Sequence, residues 1–314
     1  MTDSRPVTAN RRSPLARISA TRLLPAMAML VGSTPLSAQM ENVEIATTRI
    51  TDNVFMLAGR GGNIGLFIGD DGAFLIDDQY APLTPRILAA IASVTDQPIT
   101  FVVNTHWHGD HTGGNENFGT TGSIIVAHEN VRTRMTSEQF IDAYDTRYPA
   151  APADALPTIT FTDEVRFYWN DDEIEVIHVQ HAHTDGDAII YLRRANVVHM
   201  GDTYFSRMYP FIDYSTGGTL TGTITALDRV FADVPNDAIV IPGHGELSDM
   251  AELREYRGML VTVRERLMTL IADGKSKEEI IAAKPTADLD ADWGGGFFQP
   301  DQWVGWILNE IMRR

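Results

Sequence analysis

The stretch NTHWHGDHTGG, residues 104–114, places four potential metal ligands within six positions, shortly after the apolar run ITFVV. These ligands are His106, His108, Asp110 and His111. Because side chains two apart in an extended segment point the same way, His106 and His108 can bind one ion through their imidazole nitrogens. A glycine then lets the chain turn, so that Asp110 and His111 face a second position nearby. The spacing predicts a pair of metal ions about 3.5 to 4 Å apart, close enough to share a hydroxide.

Metal binding explains this pattern better than a set of loop histidines that only form hydrogen bonds. The chain has nine histidines, too few for three of them and an aspartate to fall at these offsets by chance. It has no cysteine, so no ligand can be a thiolate and disulfides give no sign of an oxidising compartment.

The same stretch resembles the HxHxDH motif of the metallo-β-lactamase superfamily, in the same place after a strand. The resemblance extends along nearly the whole chain after residue 38. It implies an α/β fold, the four-layer αββα sandwich of that superfamily, formed by residues 39–314 as one hydrolase domain.

Three downstream segments resemble the family's other ligand loops. The sequence HAHTDGD resembles the second motif, which implies that His183 is the third ligand of the first metal, with His178 and His181 as alternatives. The strand-end sequence MGD implies that Asp202 bridges both metals. The sequence PGHG implies that His244 is the remaining ligand of the second metal.

The resemblance also assigns supporting residues and metals. It implies that Asp77, after the run AFLI, supports the ligand loop from behind. His128 and His199 are interpreted as hydrogen-bonded structural residues. Two zinc ions are expected, and an aspartate at position 202, where the best-known lactamases have cysteine, leaves the second site open to iron or manganese.

The implied activity is zinc-dependent hydrolysis by a metal-bridging hydroxide, with Asp110 as the catalytic carboxylate that orients it. The leading expected reaction is hydrolysis of the β-lactam amide bond of a small molecule. The basic residue that would bind the substrate carboxylate is absent from its expected place, and Arg207 is the candidate substitute.

Other functions remain open, because this fold hosts many reactions. One alternative is a thioester or lactone hydrolase resembling hydroxyacylglutathione hydrolase, whose bridging ligand is also an aspartate. Another is an iron-dependent persulfide dioxygenase, although those that hold a single iron would not need the complete second ligand set. A non-catalytic binding module is the weakest alternative.

The first 38 residues predict a secretory signal. Five arginines precede an apolar stretch that ends before Ser37 and Ala38, and prolines and glycine interrupt it too early for a membrane anchor. Removal of this segment would change the formal net charge from −17 to −21. We therefore expect an exported protein, periplasmic or secreted, without stable membrane insertion and without nucleic acid as a partner. Its oligomeric state is not indicated.

The rest of the chain alternates short strands with helices. With 44% hydrophobic and 21% charged residues, it has the composition of a folded domain. A partly helical surface excursion, a candidate lid, is expected over residues 136–157. Helices are expected after the caps Asp249 and Ser276, and the aromatic tail from Gly294 is expected to be a final helix packed into the core rather than a part of the site.

Overall fold

The computed structural model describes Met40 and residues 42–313. The predicted secretory signal, residues 1–38, lies outside the described residues. Within the part of the chain that is described, no helix has the length and apolar character needed to cross a bilayer.

Seven strands form the first sheet. They are β1 (Ala46–Arg49), β2 (Val54–Ala58), β3 (Ile64–Phe67), β4 (Ala73–Ile76), β5 (Ile99–Val103), β6 (Ile124–His128) and β9 (Ile159–Phe161). They lie side by side in that order. Pairing is antiparallel from β1 to β4 and parallel from β4 through β5 and β6 to β9.

Six strands form the second sheet. They are β10 (Glu164–Trp169), β11 (Asp172–His178), β12 (Ala188–Leu192), β13 (Val197–His199), β14 (Ile239–Ile241) and β15 (Ser248–Asp249). Their spatial order follows the chain, and only the β13–β14 pair is parallel.

Nine α-helices in the described residues connect and cover the strands. They are α1 (Thr84–Ala92), α2 (Gly109–Thr112), α3 (Asn115–Thr120), α4 (Glu129–Met135), α5 (Leu220–Asp233), α6 (Met250–Ala272), α7 (Lys277–Ala282), α8 (Asp290–Trp293) and α9 (Pro300–Met312). The apolar residues of α1 pack in one core with the first sheet, and those of α5, α6 and α9 pack in another core with the second sheet.

Strand alternation explains why the sheets stack. In β12, Ala188, Ile190 and Leu192 enter the core shared by the two sheets, whereas Ile189 and Tyr191 enter the core beneath the helices. Successive side chains of a strand point to opposite faces, so a strand that is apolar throughout must be covered on both sides. The predicted four-layer αββα sandwich is confirmed, with helices outside two facing sheets.

The helical C-terminal part follows its sequence signals. Asp249 caps α6 by accepting hydrogen bonds from two backbone amides, and Ser276 and Glu279 form a capping box at α7. Trp303 in α9 is fully buried, and its Nε1 donates to the carbonyl of Pro210 at 2.7 Å. The expected final helix in the core is therefore present.

The segment 136–157 differs from the expected partly helical excursion. It forms a hairpin of β7 (Gln139–Ile141) and β8 (Thr146–Tyr148), with two single-turn 3-10 helices. Asp145 adopts a left-handed conformation at φ 46°, which an aspartate in a tight turn tolerates better than most residues. Strands this short carry too few alternating residues to be recognised in advance.

Candidate metal centre

The candidate ligands lie on loops that leave the carboxyl ends of parallel strands. β4 and β5 are parallel neighbours in the first sheet, as are β13 and β14 in the second. Asp77 follows β4, residues 104–111 follow β5, Asp202 follows β13 and His244 follows β14. Because the carboxyl ends of parallel neighbours meet at one edge, these loops converge at the same end of the sandwich.

The first donor group consists of His106, His108, His183 and Asp202, whose potential ligand atoms all lie within 4.8 Å of one another. Nδ1 of His108 is 3.1 Å from Nε2 of His106 and 2.9 Å from Nε2 of His183. All four residues are buried. Three imidazole nitrogens and a carboxylate oxygen thus converge on one point, which is a donor set suited to zinc.

The second donor group consists of Asp110, His111 and His244, again within 4.8 Å of one another. Oδ2 of Asp110 lies 3.3 Å from Nε2 of His244 and 3.8 Å from Nε2 of His111. The structure therefore brings together both sets of ligands that the sequence and its resemblance predict.

Asp202 lies between the two groups. Its Oδ2 is 3.5 Å from Nε2 of His183 and 3.8 Å from Nε2 of His106. Its Oδ1 is 3.1 Å from Nε2 of His111 and 3.4 Å from Nε2 of His244. One carboxylate thus offers one oxygen to each group, the arrangement needed to bridge two ions.

Two buried atoms indicate that the residues fit a metal. Nε2 of His111 and Oδ1 of Asp202 lie 3.1 Å apart without the geometry of a hydrogen bond, and neither atom has a hydrogen-bond partner elsewhere among the described residues. A buried polar atom without a partner costs free energy, about 1 to 3 kcal/mol for a neutral group and more for a charged one. Both atoms point into the centre, where a cation would satisfy them.

The charges of the centre also favour a cation. Burial lowers the pKa of His183 to about 4, so this imidazole is neutral and can offer a lone pair. Burial works against protonation of His244, but the carboxylates of Asp202 and Asp110 raise its pKa to about 9. The acidic side of the centre therefore attracts positive charge, which a divalent ion can supply in place of a proton.

Hydrogen bonds to the ring nitrogens that face away from the centre fix the orientation of the imidazoles. His183 donates through Nδ1 to the carbonyl of Phe211 at 2.8 Å, which leaves Nε2 to face the centre. His111 Nδ1 lies 2.7 Å from Oδ2 of Asp77. Such contacts fix the tautomer of a metal-binding histidine and make it a stronger ligand.

Asp77 is fully buried and also holds the ligand loop itself. It accepts hydrogen bonds from the backbone nitrogen and the hydroxyl of Thr105, both at 2.7 Å. Because the Thr105 hydroxyl donates to Asp77, it accepts the proton of Nδ1 of His106 at 3.0 Å. The supporting position implied for Asp77 is where the structure places it.

Sequence reasoning did not identify Asp213. This fully buried carboxylate has Oδ2 3.0 Å from Nε2 of His108, so that Nδ1 of His108 faces the centre. Burial alone would raise the pKa of Asp213, but His108 and the hydroxyls of Ser215 and Thr216 lower it to about 2. Asp213 lies 105 residues from His108 in a loop without a motif, so no sequence signal indicated it.

Replacing Asp213 with asparagine is expected to weaken zinc binding about 10- to 100-fold, because His108 loses its charged partner. Competition with a chromogenic chelator measures this affinity. Ser215→Ala is the matched control, since that hydroxyl contacts the other carboxylate oxygen, Oδ1, and should leave the affinity within about twofold of the wild type. Equal affinities of Asp213→Asn and the wild type would contradict the orienting role.

Two glycines are required by close approach to the donors. A Cβ at Gly62 would collide with the ring of His111, and one at Gly243 would collide with Oδ1 of Asp202. Gly62 lies in the tight turn between β2 and β3. The backbone nitrogen of Gly62 donates to the carbonyl of Asp110 at 3.1 Å. This turn therefore packs directly on the centre.

The remaining histidines lie outside both donor groups. His181 is exposed and contacts the carbonyl of Gly217, while His178 stacks on His128 with ring centroids 3.7 Å apart. His199 is buried, with Nε2 3.1 Å from the carbonyl of Asn63. The structure therefore places His183, and neither alternative histidine, at the first donor group.

Arg207 lies away from the cavity over the centre. Its guanidinium forms ion pairs with Glu252 at 2.9 Å and Glu255 at 3.0 Å, both on α6. With its charge engaged there, Arg207 is not placed to bind a substrate carboxylate, and the predicted role finds no support in this geometry.

A cavity of about 310 Å³ opens over the two donor groups. Its floor contains His108, Asp110, Asp202 and His244. Its walls are mainly aromatic and are formed by Tyr80, Trp107, Tyr144, Tyr148, Phe205, Phe211 and Phe297. Among the described residues, no lysine or arginine lines it.

Comparison with known proteins agrees with this geometry. Residues 57–258 match the family model of the metallo-β-lactamase superfamily. A probable metallo-hydrolase of Methanocaldococcus jannaschii is 27% identical over 61% of this chain and 91% of its own length. The type 2 metallo-β-lactamase of Bacteroides fragilis is 21% identical over 69% of this chain and 86% of its own.

Solved structures share the fold. A metallo-β-lactamase from Pontibacter korlensis has a TM-score of 0.57 and 22% identity, over 69% of this chain and 99% of its own. The sec-alkylsulfatase Pisa1 from a Pseudomonas species has a TM-score of 0.63 and 16% identity. The match covers 84% of this chain and 50% of that enzyme. With its two donor groups and a family match over most of its length, the chain belongs to the metallo-β-lactamase superfamily and is a metallo-hydrolase.

Proposed function

We propose that the protein uses two zinc ions to hydrolyse a carbonyl–heteroatom bond in a small molecule. The observation that carries this proposal is the position of Asp202, whose two oxygens face two separate donor groups. His106, His108 and His183 would hold the first ion, and Asp110, His111 and His244 the second. Iron or manganese at the second site is compatible with its oxygen and nitrogen donors.

Bound zinc ions supply a hydroxide nucleophile near neutral pH and polarise the carbonyl that it attacks. The protein's own contribution is to position the attacking water. Burial alone would raise the pKa of Asp110, but His111 and His244 lower it to about 2, so the carboxylate is ionised. Its side chain remains 23% exposed at the cavity floor, where it can orient the attacking water by accepting a hydrogen bond.

The β-lactam amide is the first candidate bond. Its support is the likeness to β-lactamases of Bacteroides fragilis and Pontibacter korlensis, together with the predicted export, since such drugs act outside the cytoplasm. Export to the periplasm or medium is part of the same proposal. A small-molecule substrate fits the cavity, and a net charge of −17 disfavours nucleic acid.

An ester, thioester or lactone is the second candidate, and one observation favours it. Penicillins and cephalosporins carry a carboxylate, whereas none of the described residues that line the cavity is a lysine or arginine. A buried carboxylate without a partner is costly, so an uncharged substrate fits the walls better. The complete second donor group argues against a persulfide dioxygenase with a single iron.

Metal content and hydrolysis together test the proposal. The purified protein should contain about two zinc ions per chain, and a chelator should abolish its activity while added zinc restores it. A chromogenic cephalosporin and an aryl lactone, assayed in parallel, separate the two candidate bonds. Hydrolysis of neither, or activity that survives removal of the metal, would contradict the proposed function, and a single iron with oxygen uptake on a persulfide would establish the oxidoreductase alternative.

A further inference from the structure

Two exposed aromatic rings stand at the mouth of the cavity. Tyr144 is 49% exposed and Phe297 is 57% exposed, although burial would be favourable for both. Tyr144 lies in the hairpin between β7 and β8, and Phe297 lies in the loop before α9. Both line the cavity, so each presents an apolar face to whatever enters it.

The two rings pack against opposite halves of the metal centre. Tyr144 contacts Phe211 at 5.2 Å between ring centroids, and Phe211 in turn stacks on His108 at 5.8 Å. Phe297 packs edge-to-face on His244 at 5.2 Å. A flat group between Tyr144 and Phe297 would therefore lie directly above both donor groups.

The described walls of the cavity offer no basic side chain to a substrate group that lies away from the metal centre. The two carboxylates at its floor, Asp110 and Asp202, face the donor groups, and its described lining holds no lysine or arginine. The nearby cation is Arg60, an exposed residue outside the lining. Burial and the charge of Asp110 raise the pKa of Tyr80, and the charge of Arg60 opposes that rise.

We propose that the cavity selects uncharged carbonyl substrates that carry an aryl group, which packs between Tyr144 and Phe297. This inference rests on the proposed hydrolysis and names its substrate class. In the reaction, water adds to the carbonyl carbon, the bond from carbon to the leaving oxygen breaks, and the departing alkoxide takes up a proton. The products are an arylalkyl carboxylic acid and an alcohol.

Three methyl esters test the selectivity on the zinc-loaded protein. They are methyl phenylacetate, methyl acetate without an aryl group, and the monomethyl ester of phenylene-1,4-diacetic acid, which carries a distal carboxylate. Titration of the released acid should give a kcat/KM for methyl phenylacetate about tenfold above that of the other two. A preference for the carboxylate ester that disappears in Arg60→Ala would overturn the proposal.

Variants of the two rings identify the selective surface. Phe297→Ala and Tyr144→Ala should each raise KM for methyl phenylacetate about tenfold, and so lower the ratio of its kcat/KM to that of methyl acetate about tenfold. Phe140→Ala is the matched control, since this exposed ring lies in the same hairpin outside the cavity lining. Equal KM values for methyl phenylacetate in the two ring variants and the Phe140→Ala control would overturn the assignment of Tyr144 and Phe297 to the aryl site.

A binding measurement separates this inference from the proposed hydrolysis. Phenylacetone, a ketone that cannot be hydrolysed, should quench tryptophan fluorescence because Trp107 lines the cavity, and both ring variants should weaken its binding about tenfold. Binding of phenylacetone without turnover of any ester, of the cephalosporin or of the aryl lactone would overturn the hydrolysis and support the aryl site. Turnover of all three esters at equal rates, without such binding, would overturn the aryl site alone.

Discussion

Asp202→Asn is expected to lower kcat/KM about a thousandfold and to leave no more than one zinc ion per chain. The amide keeps the shape of the carboxylate but has a single oxygen and no charge, so it cannot serve both donor groups. Loss of one preorganised charged group at a reacting centre commonly costs about 10²- to 10³-fold in rate. Steady-state kinetics and metal analysis of the same preparation measure the two effects.

A buried aspartate outside the centre provides the control. Asp172 accepts backbone hydrogen bonds from Arg194 and Ala195 and is 6% exposed, comparable to Asp202. Asp172→Asn should cost stability, yet its folded fraction should keep two ions and wild-type turnover. If Asp202→Asn also retained two ions and full activity, the bridging role would be wrong.

Local sequence patterns were sufficient to predict one part of the site. His106 and His108 lie two positions apart shortly after a strand, and the structure brings both to the first donor group, although residues 105–107 form a bend rather than the expected extended segment. The choice of His183 over His178 and His181 depended on family resemblance, because all three precede the same strand. In the structure only His183 of the three lies in a donor group, with its Nε2 2.9 Å from Nδ1 of His108 while its Nδ1 bonds to the carbonyl of Phe211.

The parts that sequence could not predict are those assembled from distant segments. Asp213 contacts His108 only because the loop after β13 folds back over the centre. The cavity walls combine Trp107 of the ligand motif with residues of a hairpin and a C-terminal loop, and neither the hairpin nor the loop has a motif. Phe297 was expected to belong to a tail packed in the core, but it is 57% exposed, whereas its neighbour Phe298 and the helix that follows are buried there.

The fold was more predictable than the walls of its cavity. Strands that are apolar throughout require cover on both faces, which agrees with the stacked sheets and outer helices that the family resemblance implies. Arg207 illustrates the limit of such reasoning, because its position five residues after Asp202 suggested substrate contact. The acidic face of α6 captures its guanidinium instead, an outcome that depends on how a helix more than 40 residues away packs.

Asp77→Ala is expected to lower the free energy of unfolding by about 3 kcal/mol, because it leaves buried donors without their charged acceptor. Three hydrogen bonds end on this fully buried carboxylate, two from Thr105 and one from His111. Urea denaturation of the metal-free protein measures the loss. Thr105→Val removes one of these bonds and also the acceptor of Nδ1 of His106, and should cost about 2 kcal/mol.

Asp77→Ala should also weaken zinc binding, which distinguishes Asp77 from a residue that only stabilises the fold. His111 would lose the contact that directs Nε2 toward Asp202, so the second ion should dissociate first. Because a ligand that binds only the folded state stabilises it, excess zinc should restore less stability to Asp77→Ala than it adds to the wild type. An equal gain in both proteins would mean that Asp77 supports the loop without orienting His111.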